Sequence, residues 1–219
     1  MIRIRRTRGG VAGLEFALLS PILLVLLLGT IDLSGALITA RRMEAVAGSV
    51  VEIGTTAAAQ TQALNMLTGA QAWQATTAPF ALFPGWTGRT ASKTFAITLS
   101  AVAFTPTQAG CTEGCSYTAN VVWSVANELG TPTLRACGKL QSVPNENATS
   151  YATLPVGNFG PTAVLVADIA YTYQPTFFGF LIGNIPMMQS AYLSPRIDNG
   201  IALSDTSGAG VSVNCESPS

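Results

Sequence analysis

The stretch that decides the fold lies at the amino terminus, where residues 8–33 read RGGVAGLEFALLSPILLVLLLGTIDL. Between Phe16 and Ile31 the only polar side chains are those of Ser20 and Thr30. The run extends to Ala40, about 25 residues, and a helix that rises about 1.5 Å per residue needs about 20 residues to cross a bilayer core. The stretch therefore predicts a transmembrane helix over residues 11–40.

Residues 1–10 form a basic leader before this helix, with positive side chains at Arg3, Arg5, Arg6 and Arg8. Such residues stay on the cytoplasmic side, so the rest of the chain is expected outside the membrane. An ordinary single-pass anchor is one alternative. A cleaved secretory signal, with small residues at Ser34-Gly35-Ala36, is another, but the apolar run exceeds the usual signal core of about 7–15 residues.

Glu15 is a carboxylate at the cytoplasmic edge of the apolar run, where an unpaired charge is costly. If the chain is cut after Gly10, Val11 carries a new ammonium group, and Glu15 lies one helical turn away on the same face. The helix dipole favours a carboxylate there, and pairing with an ammonium of its own or a neighbouring subunit offsets the desolvation of both charges. The spacing favours proteolysis after Gly10, with the helix retained.

The residues from Arg8 to Pro21 resemble the TadE-like family, the minor pseudopilins of the tight-adherence (Tad, or Flp) type IV pilus. The resemblance rests on the run G-V-A-x-x-E-F-A from Gly10 to Ala17, on Pro21, and on G-x-x-D from Gly29 to Asp32. Gly13 departs from the alanine that is commoner in the family. Two later stretches, Ala170–Pro175 and Ala191–Arg196, resemble the family's aromatic-proline strand and its terminal Pro-Arg.

The resemblance implies a non-enzymatic subunit that acts in Tad/Flp pilus assembly, and thereby in adherence and surface colonisation. A prepilin peptidase is expected to cut between Gly10 and Val11, with Glu15 as the assembly carboxylate. The implied partners are the membrane, that peptidase, other pilins or pseudopilins and the Tad assembly machinery. The implied location is the bacterial inner membrane, with a cytoplasmic amino terminus and a periplasmic carboxyl-terminal domain. A membrane-anchored extracytoplasmic binding module outside any filament is the alternative.

The composition argues against catalysis and against nucleic-acid binding. The chain has no histidine, which removes the commonest general base and the commonest metal ligand. Without residues 1–10, seven basic and eleven acidic side chains remain, a net charge of −4, and there is no basic stripe. Nucleotide-binding, hydrolase and zinc-protease motifs are absent from the sequence. We expect no catalytic residue, no cofactor, no metal and no small-molecule substrate.

The four cysteines, Cys111, Cys115, Cys137 and Cys215, all follow the predicted span. An even number of cysteines beyond a membrane segment favours disulfides in an oxidising compartment over a metal or redox site. Three pairings are open. We favour Cys111 with Cys115, closing a loop, and Cys137 with Cys215, pinning the tail.

The rest of the chain predicts an α+β, pilin-like fold, in which the long helix packs on an antiparallel sheet. An amphipathic extension of the helix is expected over residues 41–70, ended by Gly69 and Pro79. Its apolar stripe is Val46, Val50, Ile53, Ala57, Thr61, Leu64 and Leu67. Residues 71–219 are expected to be an extracytoplasmic β-rich domain that opens with a turn-rich connector over 71–92.

Four strands are predicted in this domain, arranged as an antiparallel meander with a hairpin loop from Thr105 to Ser116. The first two alternate apolar and polar residues, and the third is a β-branched, apolar run. The predicted strands are Phe95–Phe104, Tyr117–Val125, Thr162–Tyr173 and Met187–Ile197. The tail from Ser204 is expected to be mobile up to Cys215.

Two features near the span are open to more than one interpretation. The apolar residues between Phe177 and Ile185 are too few for a second crossing. We favour a buried helix between strands over a surface patch that touches lipid or another subunit. For Asp32 we favour an interfacial position that faces water over a contact with a neighbouring helix.

Overall fold

The computed structural model describes residues 9–60, 66–82, 95–127, 132–145, 150–195 and 202–215. These residues form a long amino-terminal helix and an antiparallel β-sheet, which confirms the expected α+β class. The chain divides into two compact units. Unit 1 comprises Met1–Thr39 and Tyr173–Ile185, and unit 2 comprises Ala40–Thr172 and Pro186–Ser219. The arginines of the leader, and Thr61 and Leu64 of the predicted stripe, lie outside the described residues.

Helix α1 runs from Gly9 to Gln60, a short strand β1 follows at Met66–Leu67, and helix α2 spans Gly69–Leu82. The expectation that Gly69 and Pro79 end a helix is therefore wrong, since Gly69 begins α2 and Pro79 lies inside it. The reason is a capping box that the sequence analysis missed. The Gln71 N–H donates to Thr68 Oγ1 at 3.2 Å, and the Thr68 N–H donates to Gln71 Oε1 at 2.9 Å.

The longer strands agree with the predicted positions. They are β2 (Phe95–Pro106), β3 (Tyr117–Ala126), β7 (Val164–Tyr173) and β8 (Ile185–Leu193). The shorter ones are β4 (Gly138–Lys139), β5 (Gln141–Val143), β6 (Thr153–Pro155), β9 (Ala202–Leu203) and β10 (Val211–Asn214), with a helical turn, α3, at Gly179–Ile182.

The main sheet has the order β10-β3-β2-β7-β8, with β4 beside β3. This order corrects the predicted meander, because β7 pairs antiparallel with β2 on the side away from β3. The prediction of a mobile tail is also wrong for residues 211–214, since β10 pairs antiparallel with the edge of β3. Its backbone hydrogen bonds continue to Cys215, whose N–H donates to the Val122 carbonyl at 2.8 Å.

The core of unit 2 lies between the second part of α1 and one face of the sheet. Met43, Val46, Val50 and Ala58 of the helix are buried, at spacings of three, four and eight residues. The sheet contributes Ile97, Leu99, Ala101, Trp123, Val125, Leu165, Ala167 and Ile169. This amphipathic pattern packs one face of the helix on the sheet. This part of α1 therefore belongs to the core of the domain and does not face lipid.

Gly54 faces this core, and a Cβ there would lie 3.2 Å from Leu99 Cδ2 and 3.4 Å from Leu165 Cδ1. Gly54→Leu is expected to destabilise unit 2 by about 1–3 kcal/mol through overpacking. The matched control is Gly48→Leu on the same helix, where a Cβ meets nothing within 4 Å. The control should be neutral or slightly stabilising, because leucine has the better helix propensity. Denaturant unfolding followed by tryptophan fluorescence compares the two, and equal stabilities would contradict the packing argument.

Candidate functional site

The amino-terminal part of α1 carries the predicted processing and assembly residues. Gly10 and Val11 lie in the first turn of α1, and Glu15 follows one turn later on an exposed part of the helix. Among the residues that the structure describes, Glu15 makes no ion pair. The basic leader that precedes it lies outside the described residues.

As far as Leu27 the apolar stretch of α1 exposes its side chains around the whole circumference, and beyond it the face that holds Gly29, Asp32 and Gly35 is covered. Leu14, Phe16, Leu19, Leu23, Leu26, Ile31, Leu33, Leu37 and Ile38 all have about half or more of their surface exposed. Of the described residues, only this helix is long and apolar enough to cross a membrane. A helix that is apolar all round suits hydrocarbon, and the buried core of unit 2 starts only at Met43.

Polar groups in the apolar stretch are satisfied within the helix. Pro21 lacks an N–H for the Ala17 carbonyl, and the Ser20 hydroxyl donates to that carbonyl at 3.4 Å instead. Thr30 donates to Leu27 O at 2.7 Å and Ser34 to Ile31 O at 2.8 Å. Such pairing is what a hydrocarbon environment requires of backbone and hydroxyl groups.

Asp32 is the exception, because its carboxylate binds another part of unit 1. It accepts hydrogen bonds from three consecutive backbone N–H groups, those of Thr176 (2.9 Å), Phe177 (3.1 Å) and Phe178 (2.8 Å). The Tyr173 hydroxyl also donates to the Asp32 carbonyl at 3.0 Å. Asp32 is only 6% exposed, so the favoured interpretation as a water-facing residue is wrong. A single aspartate carries no sequence signal for a contact 144 residues away.

Gly35 lets the chain approach α1 closely at this point, whereas Gly29 lies at ordinary contact distance. A Cβ on Gly35 would lie 2.5 Å from the Tyr173 hydroxyl, and one on Gly29 would lie 3.8 Å from the Phe178 ring. We name residues 176–183 the clasp loop, since Asp32 holds its backbone. Its one-turn helix α3 exposes Phe180 (85%), Leu181 (75%) and Ile182 (60%). The favoured interpretation of this stretch as a buried helix is therefore wrong, and it forms an apolar surface patch.

Both disulfides have the favoured pairing, Cys111 with Cys115 and Cys137 with Cys215. The first closes the loop between β2 and β3, and the second joins the segment before β4 to the end of β10. Because the second bond spans 78 residues, it fixes the tail on the sheet. Within the described segments, no group of three potential metal ligands occurs.

The sheet face opposite α1 holds a buried ion pair that the sequence analysis did not identify. Arg135 Nε donates to Asp168 Oδ2 at 2.6 Å, and Arg135 Nη2 donates to Asp168 Oδ1 at 2.8 Å. Both side chains are fully buried. Arg135 Nη1 donates to the Thr153 carbonyl at 2.8 Å, and the Ser190 hydroxyl donates to Asp168. The pair is enclosed in the domain, so its role is structural.

Tyr151 lies near this pair, and burial raises its pKa to about 12, with a further rise from Asp168 and a smaller opposing effect of Arg135. In the unfolded chain the phenol ionises near pH 10, so its contribution to stability is complete below about pH 10 and is lost towards pH 12. Tyr151→Phe should therefore lose less stability than the wild type between about pH 9 and pH 11. Urea unfolding at both pH values measures this, and identical losses would contradict it.

Comparison with known families bears on the amino-terminal segment. Residues 10–51 match the family model described as TadE-like protein. No curated protein and no solved structure matches the chain. The matched residues include Gly10, Val11, Glu15, the exposed apolar stretch and Asp32, and they end within the helix face that packs on the sheet. From Gly10 to Val51 the chain is thus similar to the TadE-like family, which its sequence also resembles.

Proposed function

We propose that this protein is a membrane-inserted minor pseudopilin of a Tad/Flp pilus, cut by a prepilin peptidase after Gly10. The TadE-like segment already points to a Tad pilus-related function. The proposal adds processing, insertion with the carboxyl-terminal domain outside, and assembly through Glu15 with other pilins. The chemistry of cleavage and of pilus extension belongs to the peptidase and to the assembly machinery, and this chain acts by binding.

The observation that carries the proposal is the order of features along one helix. Gly10 and Val11 come first, Glu15 lies a turn later, and exposed apolar side chains follow as far as Ile38. The Cα atoms of Val11 and Glu15, four residues apart, are separated by about 6 Å along the helix axis, so after cleavage the ammonium and the carboxylate would be within reach of each other or of a neighbouring subunit. In a low-dielectric environment, such pairing is the main way to accommodate either charge.

The residues around the scissile bond support access by a protease. Gly9 and Gly10 occupy the first turn of α1, and glycine costs about 1 kcal/mol relative to alanine in a helix. The first turn also lacks the hydrogen bonds that its N–H groups would make inside a helix. This turn is therefore the easiest part of α1 to unwind into the extended form in which peptide bonds are cut.

Intact-mass analysis of the protein from wild-type cells and from cells that lack the prepilin peptidase tests the proposal. We expect the wild-type material to lack residues 1–10 and the peptidase-deficient material to retain them. Gly10→Leu should block cleavage, because a large side chain replaces hydrogen next to the scissile bond. Gly9→Leu is the matched control, one residue further away, and should be cut. Material that starts at Met1 or beyond Ala36 in wild-type cells would overturn the proposal.

A further inference from the structure

The clasp loop is apolar and exposed, and six of its eight backbone N–H groups donate to a partner within unit 1. Asp32 accepts the N–H groups of Thr176, Phe177 and Phe178. The N–H groups of Leu181 and Ile182 donate to the Phe178 carbonyl, each at 2.9 Å, and that of Gly183 donates to Gly179 O at 2.9 Å. A loop in water needs none of these bonds, because water satisfies its backbone. A loop in hydrocarbon needs them, since each unpaired group there costs several kcal/mol.

The position of Asp32 along α1 places the clasp loop beside lipid-facing surface. Beyond Asp32 the helix still exposes Leu33, Leu37 and Ile38, and the first charged residue is Arg41. Asp32 therefore lies about 13 Å before Arg41 along the helix axis, within the apolar part of the predicted span. Because the loop packs on Gly29 and Asp32, its exposed apolar side chains continue the apolar surface of α1 within unit 1.

The sequence around the loop lacks any charge that would oppose insertion. From Ile169 to Pro195, 27 consecutive residues include no Asp, Glu, Lys or Arg. In a chain with 10% charged residues, a charge-free run of this length that contains the exposed side chains of the clasp loop fits a non-aqueous environment. The aromatic and aliphatic side chains at its centre, Phe177, Phe180, Leu181 and Ile182, are the kind that insert into a lipid surface.

We propose that the clasp loop is embedded in the outer leaflet of the membrane beside α1, and that Asp32 is the intramembrane carboxylate that holds it there. The partner of the loop is lipid acyl chain. Asp32 satisfies three backbone N–H groups of the loop, and these in turn satisfy the carboxylate, so neither needs water. The proposal requires α1 to span the membrane and does not depend on cleavage or on pilus assembly.

Lipid contact can be measured on the full-length protein in phosphatidylethanolamine–phosphatidylglycerol vesicles. A cysteine introduced as Phe180→Cys is labelled with the fluorophore NBD, which is possible because the native cysteines are paired. Nitroxide groups on the lipid acyl chains should quench this label strongly, as they should quench a label at Leu24→Cys in the span. Aqueous iodide should quench it weakly. A label at Ser142→Cys, an exposed polar position of unit 2, should show the opposite pattern.

The role of Asp32 is tested in the same assay by Asp32→Ala combined with Phe180→Cys. Hydrogen bonds to a charged group contribute a factor of about ten or more to an equilibrium, so lipid quenching at residue 180 should fall markedly and iodide quenching should rise. Unchanged quenching at Leu24→Cys in the Asp32→Ala protein shows that the span remains inserted. Iodide quenching at residue 180 as strong as at Ser142→Cys in the otherwise wild-type protein would overturn the proposal. So would protection from both quenchers, which would indicate a protein partner instead of lipid.

Discussion

Asp168→Ala is expected to destabilise unit 2 by about 3–5 kcal/mol, which is much of the stability of a typical domain. The substitution leaves the Arg135 guanidinium fully buried without its counter-ion. The Thr153 carbonyl, which also accepts from Arg135, cannot replace a bidentate carboxylate. The Ser190 hydroxyl loses its acceptor as well. The cost therefore comes from an unpaired buried charge together with an unpaired hydroxyl.

The matched control removes both charges at once, as in the double variant Arg135→Met/Asp168→Leu. Replacing a buried ion pair by apolar residues of similar volume is often close to neutral, so the double variant should be clearly more stable than Asp168→Ala. Chemical denaturation of the full-length protein in detergent, with both disulfides intact, gives the free energies of unfolding. Additive losses in the double variant would contradict the view that the single variant suffers from an uncompensated charge.

The helix and the main strands could be predicted because their signals are local. The apolar run from Phe16 to Ile31 predicts a span, alternation along β2 and β3 predicts strands, and the β-branched, apolar run of β7 predicts another. Register and pairing partners are not determined by local sequence. The predicted meander is wrong because nothing in the sequence of β7 selects the side of β2 away from β3 as its pairing edge. The capping box at Thr68 and Gln71 is a local signal that could have placed the start of α2.

The polar contacts that organise each unit could not be predicted, because each joins distant parts of the chain. Asp168 and Arg135 are 33 residues apart, and Asp32 lies 144 residues from Thr176. One hint was present in the sequence. Asp168 stands in the middle of a strand that is otherwise apolar and β-branched, and a lone carboxylate in such a strand requires a buried cation or several hydrogen-bond donors. The same reasoning applies to Asp32 in the apolar helix, although its partner is backbone N–H.

Glu15→Gln is expected to abolish pilus assembly while the protein is still inserted and cleaved. Within the proposed function, the Val11 ammonium pairs with Glu15 of its own or a neighbouring subunit in a bundle of apolar helices. A neutral side chain of nearly the same size leaves that ammonium unpaired in low dielectric. The expected loss of about 3 kcal/mol lowers subunit docking by about a hundredfold.

Glu44→Gln is the matched control, because it removes one carboxylate from the same helix at an exposed position. Glu44 pairs with Arg41 at 3.1 Å, and exposed pairs of this kind contribute little. Its pilus yield should equal that of the wild type, as measured by electron microscopy and by the amount of sheared filament. Membrane fractionation and intact mass should show normal insertion and cleavage for both variants. Normal filaments with Glu15→Gln would contradict an assembly role and would favour a membrane-anchored binding module that never joins a filament, because only incorporation into a helical bundle places the Val11 ammonium where it needs this carboxylate.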